Sequence, residues 1–301
     1  MIFFRFSRRT VRVVVMTLAM VVVPIGATTP GAAQPPADAA QPASPAAVVI
    51  PNFWDPRSRI ERPPVGAVPA IRFITTDDFP PFNFLDANGR LTGFNVDLAR
   101  AICAELGIRC TIQAREWAEL TDRIADRTAD AAIAGVAITA ENRAALDFSD
   151  VYMRTPARFV VRKDEAGLDL TPEGLRGMTL AVVARTAHEA YLAAMFPEVG
   201  RRLYPDADAA RAAVKNGEAD THFGDGLQLS FWLESEAADG CCAFAGGPYL
   251  ESRFFGQGYA IAIARSTNTD LKRAINAALQ AIYEKGVFAE LYLRYFPVGF
   301  F

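Results

Sequence analysis

The chain has 301 residues, 51% of them hydrophobic and 22% charged, which is enough apolar material for one or two globular domains with a sizeable core. The formal net charge is −3, and no basic stripe with interleaved aromatics runs along the sequence. Nucleic acid is therefore excluded as the expected partner.

The first 33 residues stand apart from the globule. Arg5, Arg8, Arg9 and Arg12 precede an apolar stretch over 13–23, and Pro24, Gly26 and small residues follow up to Ala33. This is the layout of a secretory signal peptide cleaved near Ala33. Its apolar run is well short of the roughly 20 residues that span a bilayer, so an uncleaved anchor is the weaker reading. Ser7, Arg8 and Arg9 also resemble a twin-arginine signal, but Val11 and Arg12 depart from that pattern, which favours general secretion. Removing four arginines and no acid takes the formal charge to −7. A soluble periplasmic protein is expected.

Residues 34–67 are rich in Pro and Ala and read as an extended tether. Asn52, Phe53, Trp54 and Asp55 interrupt it, either as a segment that docks on the folded body or as an unstructured aromatic pair. From residue 70 the pattern alternates. A strand at 71–75 is followed by a turn over 86–89 and a helix from Asn95 with Leu98, Ile102 and Leu106 on one face, stopped by Gly107. A strand at 111–114, a helix at 119–127, and strands at 131–135 and 158–162 come next. A second round runs through a strand at 178–183, a helix at 187–196, a strand at 202–204, a helix at 209–216 ended by Gly217, and a strand at 221–224. A strand at 259–264 and one or two amphipathic helices over 270–295 complete the chain. The alternation predicts largely parallel sheets covered by helices, in two similar units.

Four cysteines come as two local pairs. Cys103 falls in the last turn of a predicted helix and Cys110 at the start of the next strand, so a bridge between them would tie helix to sheet and contribute about 2 to 3 kcal/mol. Cys241 and Cys242 are adjacent, and a vicinal ring or two loop thiols are both open. Metal binding by the four is the least favoured reading, since no histidine stands at ligand spacing. Neither a metal nor a cofactor is expected.

Several segments, in order, resemble a known family. They are Pro80–Pro81–Phe82 after the first strand; the run from Gly93 to Leu98 opening the first helix; 130–139 followed by Asp147, Phe148, Ser149 and Tyr152; Leu175–Arg176–Gly177; 217–225; and the ending with Gly286, Phe288, Leu291, Tyr292, Tyr295 and Phe296. Together they resemble the extracellular solute-binding proteins of family 3, which serve polar amino-acid ABC transporters. The resemblance implies an α/β fold of the type II periplasmic-binding-protein kind. Its two lobes, each a mixed, mostly parallel sheet flanked by helices, would comprise 68–156 plus 256–301 and 157–255, joined by two hinge crossings with the ligand between. It implies as partners a small-molecule solute and an inner-membrane permease, with the protein a monomer. The Cys103–Cys110 spacing also resembles a disulfide of some members.

The same resemblance places Phe79 against the ligand, the alternative being a core role beside Phe82 and Phe84. The loop 134–139, with Gly135 and Ala137, enters a helix where free N–H groups suit a carboxylate. Members that bind amino acids have Ser or Thr at the position of Ala137 and an arginine at that of Asn142. Here the arginine is Arg143, one residue later and about 100° around a helix, so either Arg143 is brought into the cleft or Asn142 replaces a charge with an amide. In the second lobe Thr186 matches the pattern, and Arg185, at a common glycine position, is either a cleft cation or a rim residue. Asp225 aligns with the carboxylate that receives an α-ammonium group, and it also suits a helix N-cap. His188 reads as a surface or cap residue and His222 as a satisfied core group. The function expected is solute binding by hinge closure. The runner-up readings are an exported cyclohexadienyl or arogenate dehydratase, or a sensory binding protein of the same fold. No phosphate loop, metal-ligand spacing or nucleophile elbow favours an enzyme.

Overall fold

In the computed structural model the described residues are 50–53, 60, 63–64, 66–265, 269–296 and 299–301. The signal segment, most of the tether, Trp54 and Asp55 lie outside them.

The strands are β1 (Ala70–Thr75), β2 (Asp78–Phe79), β3 (Asn83–Leu85), β4 (Leu91–Thr92), β5 (Arg109–Ala114), β6 (Ala131–Ala132) and β7 (Leu146–Phe148). After a first passage come β8 (Ala157–Arg162), β9 (Thr179–Val183), β10 (Gly200–Tyr204), β11 (Thr221–Asp225) and β12 (Cys242–Tyr249), and after a second, β13 (Ala262–Ala264). The helices are α1 (Phe94–Leu106), α2 (Leu120–Ala125), α3 (Ala140–Ala145), α4 (Ala187–Met195), α5 (Ala207–Lys215), α6 (Gly226–Leu233), α7 (Ser252–Phe255), α8 (Asp270–Glu284) and α9 (Val287–Tyr295).

Two five-stranded sheets carry the architecture, in the orders β5-β1-β6-β13-β7 and β10-β9-β11-β8-β12. In each, four strands point one way and one is reversed: β13 in the first sheet and β8 in the second. Both reversed strands directly follow a passage from the other sheet. The two passages pair with each other, Tyr259 N–H donating to Met153 O at 2.7 Å and Tyr152 N–H to Tyr259 O at 2.9 Å.

Side-chain alternation explains the layering. On β1, Ile71 and Phe73 enter a core with Phe94, Leu98 and Ile102 of α1 and Ile275 and Leu279 of α8, while Ile74 enters a second core against Leu120 and Ile124 of α2. On the other sheet Leu180 and Val182 face Tyr191 and Leu192 of α4, and Ala181 faces α5 and α6. Helix α1 stops where expected, at Gly107 with φ 65°, its N–H satisfying Ala104 O. The 270–295 region is two helices, broken at Gly286. Phe53 packs on the first core and meets the Phe301 ring edge-on at 5.6 Å, so the docking reading holds for that residue.

Both cysteine pairs are bonded, Cys103 to Cys110 with Cα atoms 6.1 Å apart and Cys241 to Cys242 as a vicinal ring. Among the described residues no helix is long and apolar enough to cross a membrane.

Candidate functional site

The loops that leave the carboxyl ends of parallel strands emerge on one edge of a sheet, which is where open α/β sheets place ligands. In the first sheet this edge collects Phe79 after β1, Trp117 after β5 and the 133–139 loop after β6. In the second it collects Arg185 and Thr186 after β9 and Asp225 at the end of β11. Both Phe79 and Trp117 are exposed. Trp117 carries only a weak sequence signal, that of an aromatic just past a predicted parallel strand.

The Phe79 loop is held by a buried chain of amides and hydroxyls. Asn83 Nδ2 donates to Thr76 Oγ1 at 2.8 Å, Asn95 Nδ2 to Asn83 Oδ1 at 2.9 Å, and Tyr152 O–H to Asn95 Oδ1 at 2.8 Å. This fastens the loop to α1 and to the first passage between the sheets. Phe79 then stacks on Phe82 with centroids 4.9 Å apart, and Tyr259 of the second passage meets both rings edge-on. Gly135 lies against this wall with φ 75°, and a Cβ there would sit 3.3 Å from the Tyr259 ring. Burial and the charge of Asp225 push the Tyr259 hydroxyl up to about 12, while a hydrogen bond with Thr155 opposes them. The Asp225 charge thus acts on the ring that Tyr259 contributes to this wall. The sequence pattern marks Tyr259 only as the first residue of a strand at 259–264.

Of the remaining predicted residues, Asn142 folds back, its Nδ2 donating to Ala137 O at 2.8 Å while its N–H meets the capping Thr139 hydroxyl. Arg143 is directed elsewhere, donating to Gln257 Oε1 at 3.2 Å and lying 5.7 Å from the Phe148 ring centroid. Arg185 is exposed and takes φ 60°, which accounts for a position that favours glycine. Its N–H donates to the Glu189 carboxylate. Thr186 caps α4, accepting from Glu189 N–H and donating to Val183 O at 2.8 Å. Asp225 caps α6 through Gln228 N–H at 2.8 Å, and burial pushes its carboxyl up. No hydrogen bond or ion pair among the described residues joins the 134–143 loop to the 183–189 loop.

His222 is buried, its Nδ1 2.9 Å from Ala181 O. His188 corrects the expectation of a surface or cap residue. The cap is Thr186, and His188 is half-buried, stacked on Phe255 at 5.3 Å, with burial pushing it down to about 4.

The sequence pattern of the bacterial extracellular solute-binding proteins, family 3, matches residues 71–298. The chain belongs to this family. An ABC transporter arginine-binding protein 1 of Escherichia coli (strain K12) is 30% identical over 231 residues, 77% of this chain and 92% of that one. An L-arginine-binding protein of Pseudomonas aeruginosa is 29% identical, over 72% of this chain and 84% of the other. Among solved structures, an ancestral cationic amino acid solute binding protein is 26% identical with a TM-score of 0.58, covering 76% of this chain and 96% of the other. An ancestral cyclohexadienyl dehydratase, at 22% identity and TM-score 0.62, shares the fold over 76% of this chain and 93% of its own. This family 3 chain is a type II binding protein with a solute-binding role.

Proposed function

We propose that the protein is the periplasmic binding component of an ABC uptake transporter, closing on a small polar or zwitterionic solute that carries a cationic group. The lobes are 68–156 with 256–301 and 157–255, hinged at the paired passages, and residues 1–33 are the export signal. One observation carries the reading: an aromatic wall of Phe79 and Tyr259 against Gly135, with the Asp225 carboxylate electrostatically coupled to Tyr259. A desolvated carboxylate beside aromatic surface suits a cation on an organic body. Solutes named for the relatives, arginine above all, are candidates. A standard α-amino acid is one of several, because Ala137 offers no hydroxyl and Asn142 is engaged with Ala137 O. Gly135 contributes its backbone, Thr186 and Arg185 stand at the facing lobe, and Arg143 serves the flank at Gln257.

A thermal-shift screen of residues 34–301 against L-arginine, L-lysine, L-glutamine, putrescine and succinate tests the proposal. A solute at 100 times its Kd adds about 2.7 kcal/mol. Stabilisation by a cationic solute that is lost in Asp225→Ala is expected; stabilisation unchanged in that variant contradicts it. Incubation with prephenate or arogenate is expected to yield no aromatic product, and turnover would replace the binder reading with a dehydratase.

A further inference from the structure

Behind Asp225, on α5, lies Arg211, whose side chain is only 14% exposed. Its Nε is buried without a hydrogen-bond partner. Its contacts with Asp208 Oδ1 at 3.3 Å and Gln228 Oε1 at 3.5 Å are long for bonds to a cation, and Asp208 is 93% exposed, so solvent weakens that pair. Gln228 donates its own N–H to Asp225 Oδ1. One residue therefore spans from the guanidinium to the carboxylate. A desolvated guanidinium with such poor local partners is costly to the fold, and the group that gains from its field is Asp225.

We infer that Arg211 is a positioning residue for solute recognition, holding the Asp225 carboxylate ionised in the desolvated wall of the second lobe so that the site accepts a cation. The inference rests on the reading of Asp225 given above. Burial of Asp225 favours its neutral form; the Gln228 and Leu227 N–H groups oppose this, and Arg211 adds its charge to theirs. Reciprocally, Asp208 and then Asp225 sustain the charge of a guanidinium that burial disfavours. Among the described residues no cation forms a hydrogen bond or ion pair with Asp225. His222 on β11 is pushed down to about 4 and is neutral at ordinary pH. Tyr259 from the second passage is neutral as well. Arg158 on β8 lies over the Phe244 ring at 4.6 Å, and neither it nor Arg185 forms an ion pair with Asp225 among the described residues. Of the other charges on this face of α5, Asp208 has the wrong sign and Lys215 is turned to Ala237 O, to which its Nζ donates at 2.7 Å.

The test is NMR titration of the Asp225 carboxyl carbon in solute-free protein, with L-arginine affinity measured in parallel between about pH 5 and 8. In R211Q the midpoint is expected to rise by about one unit or more. L-Arginine affinity should then fall about tenfold per pH unit below that midpoint. R211K, which keeps the cation, is expected to track the wild type in both, an outcome that a packing role would not produce. An unchanged midpoint in R211Q overturns the inference. A raised midpoint with L-arginine binding indifferent to both R211Q and Asp225→Asn overturns the reading of Asp225 instead. Should R211Q fail to fold, R211M, which keeps the apolar stem and removes the charge, is titrated in its place; a raised midpoint supports the inference and an unchanged one overturns it.

Discussion

At Gly93 the backbone takes φ 125°, and a Cβ would fall on the carbonyl of Phe82. Only glycine admits the loop–helix junction that turns Phe79 outward, so Gly93→Ala is expected to cost about 2 to 4 kcal/mol in denaturant unfolding. Gly135 makes a milder demand. Gly135→Ala strains φ 75° and presses on Tyr259, and its expected effect is a solute affinity lowered about tenfold with about 1 kcal/mol lost in stability. Equal affinity would remove Gly135 from the site. The places of Phe79, Thr186 and Asp225 are legible in the sequence, since each sits just past a predicted strand whose hydrophobic pattern is plain. Tyr259 is not, because its ring meets Phe79, 180 positions away, and nothing local marks an aromatic at a strand start as a wall of a site. Arg211 is equally silent: on a helix with an exposed face, an arginine reads as solvated.

The elements that sequence pattern reveals are those with uninterrupted periodicity, such as α1, β9 and α5. Strand β12 escaped because Gly246, Gly247 and Pro248 break its alternation, and its pairing with β8 shifts register between Ala245 and Tyr249. The short β6 falls inside the longer strand expected at 131–135 and β7 has no element assigned to it, since two or three residues carry no measurable period. Buried polar links between elements were invisible for another reason: Asn83 and Asn95 look like turn and cap residues until the fold brings them together with Tyr152. Asn95→Ala leaves both partners unpaired in the interior and is expected to cost about 3 kcal/mol in denaturant unfolding, and Asn95→Asp, which keeps the shape but sets an oxygen against Asn83 Oδ1, is expected to cost at least as much. At the α1–β5 junction, replacing Cys103 and Cys110 by serine is expected to lower unfolding stability by about 2 to 3 kcal/mol.

For the molecule as a whole, two histidines set an acid limit. His188 and His222 are both pushed down to about 4 by burial, whereas in the unfolded chain they titrate near 6.5. The unfolded state therefore takes up protons first as pH falls. Stability is complete above about pH 6.5 and declines as pH drops toward about 4. His188→Phe keeps a ring on Phe255 while removing one titration, so the loss of Tm across that window should be smaller; an equal loss would mean that His188 does not contribute. The two-lobe plan itself was legible in the repeated strand–helix alternation, but the reversed strands β13 and β8, which make each sheet mixed, follow from the passages and not from any local pattern.

Hinge closure about the paired passages at Met153 and Tyr259 is the central claim. Small-angle X-ray scattering of residues 34–301, with and without a saturating amount of the solute that gives the largest thermal shift, tests it most directly. A smaller radius of gyration in the bound protein, lost in Asp225→Ala, is the predicted result; an unchanged radius at saturation would contradict closure.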